Sequence, residues 1–368
     1  MGLIRLLLAL SIVAAHSGAI FGSRFVGGQI AVQSFYIISG FYMSLILNEK
    51  YIGKNNSFRL FITNRFFKLF PVYWAVLLGT IFFCLCAVIL TQGRYFPEFN
   101  NYLSVKTNPI SLIFLVATNI LIFGQDIVMF LGIIPESGDL YFTSNFANST
   151  APLYPFLFVP QAWTLGLELT FYLIAPYILK RGYKIVIALI TVSFLLRLFI
   201  YNILDWQNDP WTYRFFPTEI MFFLFGYLSY RINLKIKTIS VPKIISLLTL
   251  VFMVAFTALY QFLPSTKINY LLFSPAEAIY FLLIILSVPV LFNFMKNNRL
   301  DNQIGELSYP VYISHILVIG VFYITPFAFL KSGWFTAAIT LGAAYLLNKT
   351  ISVPIENYRQ SRLQKTGE

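Results

Sequence analysis

LFPVYWAVLLGTIFFCLCAVILT, residues 69–91, runs for 23 positions without a charged side chain. At about 1.5 Å of rise per residue, a helix of that length is long enough to cross the hydrocarbon core of a bilayer. The stretch just before it, FRLFITNRFFKL (58–69), is basic and aromatic, as expected where a chain lies at a membrane surface. The same kind of apolar run recurs at 3–22, 28–47, 109–131, 159–179, 184–204, 212–231, 240–263, 275–295, 307–328 and 333–353. The 368 residues are 58% hydrophobic and 11% charged, with 39 Phe and 23 Tyr. An average soluble domain carries about 25% charged residues. Too few polar groups are present to coat a water-soluble globule, which excludes a soluble enzyme, a nucleic-acid-binding domain and a disordered chain. The fold class is therefore an all-α, polytopic membrane protein whose main partner is membrane lipid.

Charge sets the topology. Basic residues cluster as Lys50, Lys54, Arg59, Arg65 and Lys68; Lys180, Arg181 and Lys184; Arg231, Lys235, Lys237 and Lys243; Lys296 and Arg299; and Arg359, Arg362 and Lys365. If all eleven runs crossed, the first cluster would face away from the others, against the positive-inside rule. If 109–131 enters and leaves on one face, every cluster becomes cytoplasmic. With Arg5 and Lys349, nineteen Lys and Arg then lie inside, and Arg24, Arg94, Lys106, Arg214, Lys267 and Lys331 are scattered outside. The expectation is ten crossings, both termini in the cytoplasm, and a re-entrant or interfacial segment at 109–131. The net charge of +12 reports this bias and not a nucleic-acid partner. The N-terminal run is read as the first span, not as a cleaved leader. Residues 1–358 form one membrane-embedded domain, 359–368 a basic cytoplasmic tail, and no soluble domain is expected after the last span.

Titratable side chains at membrane depth are costly and point to function. Here they are His16, Glu168, Arg197, Glu219, Glu277 and His315, with Asp126 in the segment of uncertain placement. Arg5 and His16 are eleven residues apart, which is 20° beyond three full helical turns, so they share a face about 16 Å apart along the axis. An anionic group held at Arg5 could send a long arm to His16; equally, His16 could be hydrogen-bonded between helices with Arg5 as an interfacial anchor. Glu168 could orient a catalytic His, bind a polar substrate, or pair with Arg197. His315 could line the same cavity or bond a neighbouring carbonyl. Arg65 and Lys68 share a helix face and could clamp phosphates or touch anionic lipid. Gly28 and Gly40 suit close helix packing. Cys84 and Cys86 are read as buried thiols, and no zinc-ligand spacing, phosphate-binding loop or nucleophile elbow is present.

Arg5-x10-His16, FYIISGF (35–41), NRFFKLFPVYW (64–74), WTLGLELTFY (163–172) and LSYPVYISH (307–315) stand in the order seen in the acyltransferase-3 family, and the chain resembles that family over residues 3 to about 357. These are integral membrane O-acyltransferases acting mostly on bacterial surface glycans. The resemblance implies His16 and Glu168 as catalytic residues and Arg5, Arg65 and Lys68 as the donor site. Lys68 stands where the family has a second Arg, and Thr164 where it has Ser. Trp163, Tyr73, Arg197 and His315 are candidates for substrate binding. The resemblance further implies acetyl-CoA as donor substrate with no permanently bound cofactor, a glycan hydroxyl as acceptor, and the bacterial cytoplasmic membrane as location. A glycan or lipid-linked precursor transporter is the alternative, since midplane charges suit transport too.

Overall fold

The computed structural model describes residues 1–49, 58–92, 97–239, 241–264, 272–324 and 328–366. Lys50, Lys54, Arg94 and Lys267, which enter the charge argument, lie outside the described residues. The apolar runs become α1 (Gly2–Ser17), α2 (Gly27–Glu49), α3 (Phe58–Leu90), α5 (Pro109–Leu121), α6 (Trp163–Ile178), α7 (Tyr183–Asn202), α8 (Phe216–Ile236), α9 (Lys243–Leu259), α10 (Pro275–Met295), α11 (Arg299–Tyr323) and α12 (Gly333–Leu347). A short α4 (Pro97–Ser104) and a final α13 (Val353–Thr366) complete the helices. Among the described residues, seven helical stretches are long and apolar enough to cross a membrane: α2, α3, α7, α9 with its extension to Phe262, α10, α11, and α12 continued to Arg362. The chain is a helical membrane protein. The helices alternate between two ends. The basic end gathers the start of α1, α3 and α11 and the end of α2, α8 and α12; the far end holds the turn at 18–26 and the loops at 122–162 and 203–215.

Helix α2 sits at the centre and is mostly buried; its main neighbour is α8. A Cβ added at Gly40 would come within 1.8 Å of the Phe223 carbonyl oxygen, and one at Gly226 within 2.2 Å of the Ile37 carbonyl oxygen. The two backbones therefore touch, as small residues permit in membrane bundles. Gly28 differs, because its added Cβ would meet only the Ala15 Cβ at 3.4 Å. Helices α1 and α11 are joined the same way: a Cβ on Gly305 would lie 2.7 Å from the Gly2 Cα. Asp301 of α11 accepts from the Gly2 N–H at 2.7 Å and the Leu3 N–H at 3.0 Å, capping the first turn of α1 from another helix.

The run at 109–131 is not one helix. α5 ends at Leu121, Ile122 adopts φ +66°, and the chain turns back through 3-10 geometry into a two-stranded antiparallel hairpin, β1 (Leu131–Ile133) and β2 (Leu140–Phe142). α5 starts against the hairpin, where Ser111 Oγ donates to the Gly138 carbonyl at 2.5 Å. It ends beside the middle of α3, where Tyr73 donates to the Asn119 carbonyl and Trp74 Nε1 to the Ile120 carbonyl at 2.9 Å. The irregular segment beyond it is shielded on one face, with Ile122, Gln125 and Val128 fully buried while Phe123 and Ile127 are exposed. Non-helical chain at membrane depth needs that shielding.

The expected basic tail is instead the end of a helix. α13 runs on to Thr366 and packs on α3, with Arg359 paired to Glu356 and Arg362 Nη2 donating to Thr63 Oγ1 at 3.1 Å. A five-residue π-helical segment, Asn348–Ser352, joins it to α12.

Candidate functional site

His16 stands in the last turn of α1 and His315 about two-thirds of the way along α11. Their rings stack at 5.0 Å between centroids, and His315 Nε2 lies 3.0 Å from His16 Nδ1. His315 Nδ1 lies 2.5 Å from the Tyr312 carbonyl oxygen. A carbonyl can only accept, so His315 carries its proton on Nδ1. Its Nε2 is then a lone pair, and the hydrogen between the rings comes from His16 Nδ1. Neutral His16 is left with an unprotonated Nε2, the form a general base needs. His315 is fully buried, while His16 is exposed. Tyr312 is itself fixed to the start of α6: its hydroxyl bonds Thr164 Oγ1 at 2.7 Å and the Gln161 carbonyl. Gln161 Nε2 also donates to the Ile313 carbonyl at 2.6 Å. The order Thr164, Tyr312, His315, His16 thus couples α6, α11 and α1.

Glu168 does not orient His16. Its carboxylate accepts from Ser39 Oγ of α2 at 2.5 Å and from the Tyr172 hydroxyl one turn further along α6. Nor does it pair with Arg197, whose Nη1 lies 2.7 Å from Glu219 Oε1, both residues being buried. Gln33 Nε2 donates to the other Glu219 oxygen at 3.0 Å, and Arg197 Nη2 to the Thr212 carbonyl at 2.5 Å. Arg197 therefore clips α7, α8 and α2 together, away from the histidines. Tyr73 is likewise committed to holding α5, accepting from Gln125 Nε2 at 2.9 Å.

The three predicted cations all lie towards the basic end. Lys68 lies within electrostatic range of Arg65, Arg5 and Arg359, with Glu356 the nearby carboxylate. Arg65 is buried, its Nε has no hydrogen-bond partner among the described residues, and its guanidinium carbon sits 6.0 Å from the Tyr172 ring centre. Of the three, Arg5 lines a cavity of about 210 Å³, together with Gly2, Tyr42, Lys296, Asp301 and Asn302 among others. Several cations at one end suit a polyanion such as a chain of phosphates.

A family model described as an acyltransferase domain, that of the acyltransferase-3 family, matches residues 1–348. The chain belongs to the acyltransferase-3 family. An uncharacterized protein from Aquifex aeolicus (strain VF5) is 26% identical over 231 residues, covering 58% of this chain and 93% of that protein. No solved structure matches. In this acyltransferase-3 chain the motif residues fall into three levels: Arg5, Arg65 and Lys68 at the basic end, Glu168 with Ser39 and Tyr172 above them, and the histidine pair towards the far end. Sequence reading missed Ser39, Tyr172, Thr164 and Tyr312 as partners. It named Trp163 but missed its far-end neighbours: Trp163 is 5% exposed and covered by the Arg214 guanidinium at 4.3 Å, with Tyr213 edge-on at 4.8 Å. Only an unusual concentration of aromatic residues around Arg214, in WTYRFF (211–216), could have drawn attention to them.

Proposed function

We propose that this acyltransferase moves an acyl group, acetyl in the first instance, from cytoplasmic acyl-CoA to a hydroxyl of an envelope or exported glycan. The observation that carries the reading is the free Nε2 of an exposed His16, fixed in that form by His315 and the Tyr312 carbonyl. The donor phosphates dock on Arg5, Arg65 and Lys68, and the acyl arm passes Glu168, Ser39 and Tyr172 to bring the thioester beside His16. About 16 Å of helix separates Arg5 from His16, which suits a donor whose charge and reactive carbon are far apart. The acceptor hydroxyl comes from the far end, past Trp163. His16 Nε2 takes its proton as the oxygen bonds to the thioester carbon; the tetrahedral adduct then expels the thiolate, which recovers the proton from His16. The products are the acyl ester and free CoA. His315 replaces Glu168 as the group that sets the His16 tautomer, the part a carboxylate plays in a hydrolase triad. Ten crossings, a re-entrant α5 and a cytoplasmic basic end complete the proposal, in the bacterial cytoplasmic membrane.

The test is label transfer from radioactive acetyl-CoA to envelope polysaccharide. His16→Ala, present at wild-type level, should lose about 10²–10⁴-fold in rate. Transfer at the wild-type rate would remove His16 from the chemistry. Counter-flow of glycan without acetyl-CoA would favour the transporter.

A further inference from the structure

The transfer just described passes through a tetrahedral adduct whose former carbonyl oxygen is negative. Such an oxygen needs a prepared donor, and supplying one is the largest single contribution in many acyl transfers. Nothing on α1 or α11 offers it: His16 Nδ1–H is committed to His315, and His315 Nδ1–H to Tyr312. A fixed positive charge within electrostatic range of His16 comes from the far-end loop. Arg214 Nε donates to Asp209 Oδ1 at 2.8 Å and Oδ2 at 2.9 Å, which fixes the plane of the guanidinium. Its face lies on the Trp163 ring at 4.3 Å and over the Tyr213 ring at 5.3 Å. Trp163 immediately precedes Thr164, which bonds Tyr312, so this platform is built on the residues that hold the histidine pair. His16 and Tyr312 are both within electrostatic range of the guanidinium.

Two features set Arg214 apart from a simple anchor. Among the described residues its terminal Nη groups make no hydrogen bond, so two N–H forks remain to be used. Its charge is already balanced by Asp209, with Arg214 16% and Asp209 35% exposed. A balanced pair holds a permanent anion weakly, yet it presents an oriented dipole to a charge that forms only during reaction.

Resting on the acyl-transfer reading above, we infer that Arg214 is a further catalytic residue: its Nη groups donate to the oxyanion as the hydroxyl oxygen adds to the thioester carbon, with Asp209 and Trp163 as positioning residues. The π electrons of the C=O bond move onto that oxygen when the C–O bond forms. They return when the C–S bond breaks, and Arg214 exchanges no proton.

The experiment uses the full-length purified protein, acetyl-CoA and envelope polysaccharide, and measures kcat and both KM values for wild type, His16→Ala, Arg214→Gln, Arg214→Lys and Asp209→Asn. Arg214→Gln should lower kcat by about 10²–10³-fold, as loss of an oxyanion donor does, with both KM values within twofold. Arg214→Lys should recover part of kcat, and it carries the test if the Gln variant does not fold. Asp209→Asn should lower kcat less than Arg214→Gln. An Arg214→Gln or Arg214→Lys kcat equal to wild type, or a loss seen only in the acceptor KM, would overturn the inference while His16→Ala remains inactive. A wild type without transfer, or an active His16→Ala, would instead overturn the acyl-transfer reading.

Discussion

One ring nitrogen carries most of the functional argument. His16 Nε2 is basic only while its other nitrogen stays protonated, and that depends on His315. Replacing His315 by Leu removes the ring that accepts from His16 and leaves only the Ile12 carbonyl beside the imidazole, so the ring is free to turn and its tautomer is less firmly set. Transfer should fall, by no more than the 10²–10⁴-fold that a general base supplies, while acetyl-CoA affinity stays unchanged. His315→Gln should recover part of the loss, since one amide can donate towards Tyr312 and accept from His16. Glu168→Gln makes the contrast. It can still meet Ser39 and Tyr172, so its effect should fall on the donor KM and not on kcat. The measurement is steady-state label transfer at saturating and limiting acetyl-CoA; equal kcat in His315→Leu and wild type would contradict the tautomer argument.

At the level of elements, what the sequence could reveal was local. The shared face of Arg5 and His16 follows from helical period, and the apolar runs follow from composition, so α1 and nearly every other helix were legible. The split of 109–131 at Ile122 was not, because the turn is held by Tyr73 and Trp74 from α3. Nor was the histidine pair, whose members are 299 residues apart and meet only because α1 packs on α11. The small-residue reading also needed the partner helix to separate Gly40, which touches backbone, from Gly28, which meets only a methyl group. That difference is measurable. Gly40→Ala and Gly226→Ala should each destabilise the detergent-solubilised protein by about 1–3 kcal/mol, the usual cost of overpacking, whereas Gly28→Ala should stay within about 0.5 kcal/mol. Thermal unfolding midpoints check this, and equal midpoints for all three would show that α2 and α8 can separate without penalty.

For the whole molecule the decisive quantity is the side on which each end lies, because the proposed transfer needs a donor from one compartment and an acceptor from the other to meet at His16. The proposed arrangement has α5 reach the level of Tyr73 without crossing. That segment governs the parity. If α5 does not cross, the turn after α1 and the loop after α7 share a side; if it crosses, they are opposed. Ala19 and Asn208 are exposed at those two places, and Ser361 is exposed on α13. In a chain with Cys84 and Cys86 replaced by Ala, a membrane-impermeant maleimide added to intact cells should label Ala19→Cys and Asn208→Cys. Ser361→Cys should react only after permeabilisation. Labelling of Ala19→Cys and Asn208→Cys from opposite sides would make α5 a crossing, place Arg5 and the cluster at Lys180 on different faces, and break the positive-inside pattern. The same result would separate Arg214 from His16, since α1 and α8 would then start on one side, whereas the start of α1 and the end of α8 share the basic end.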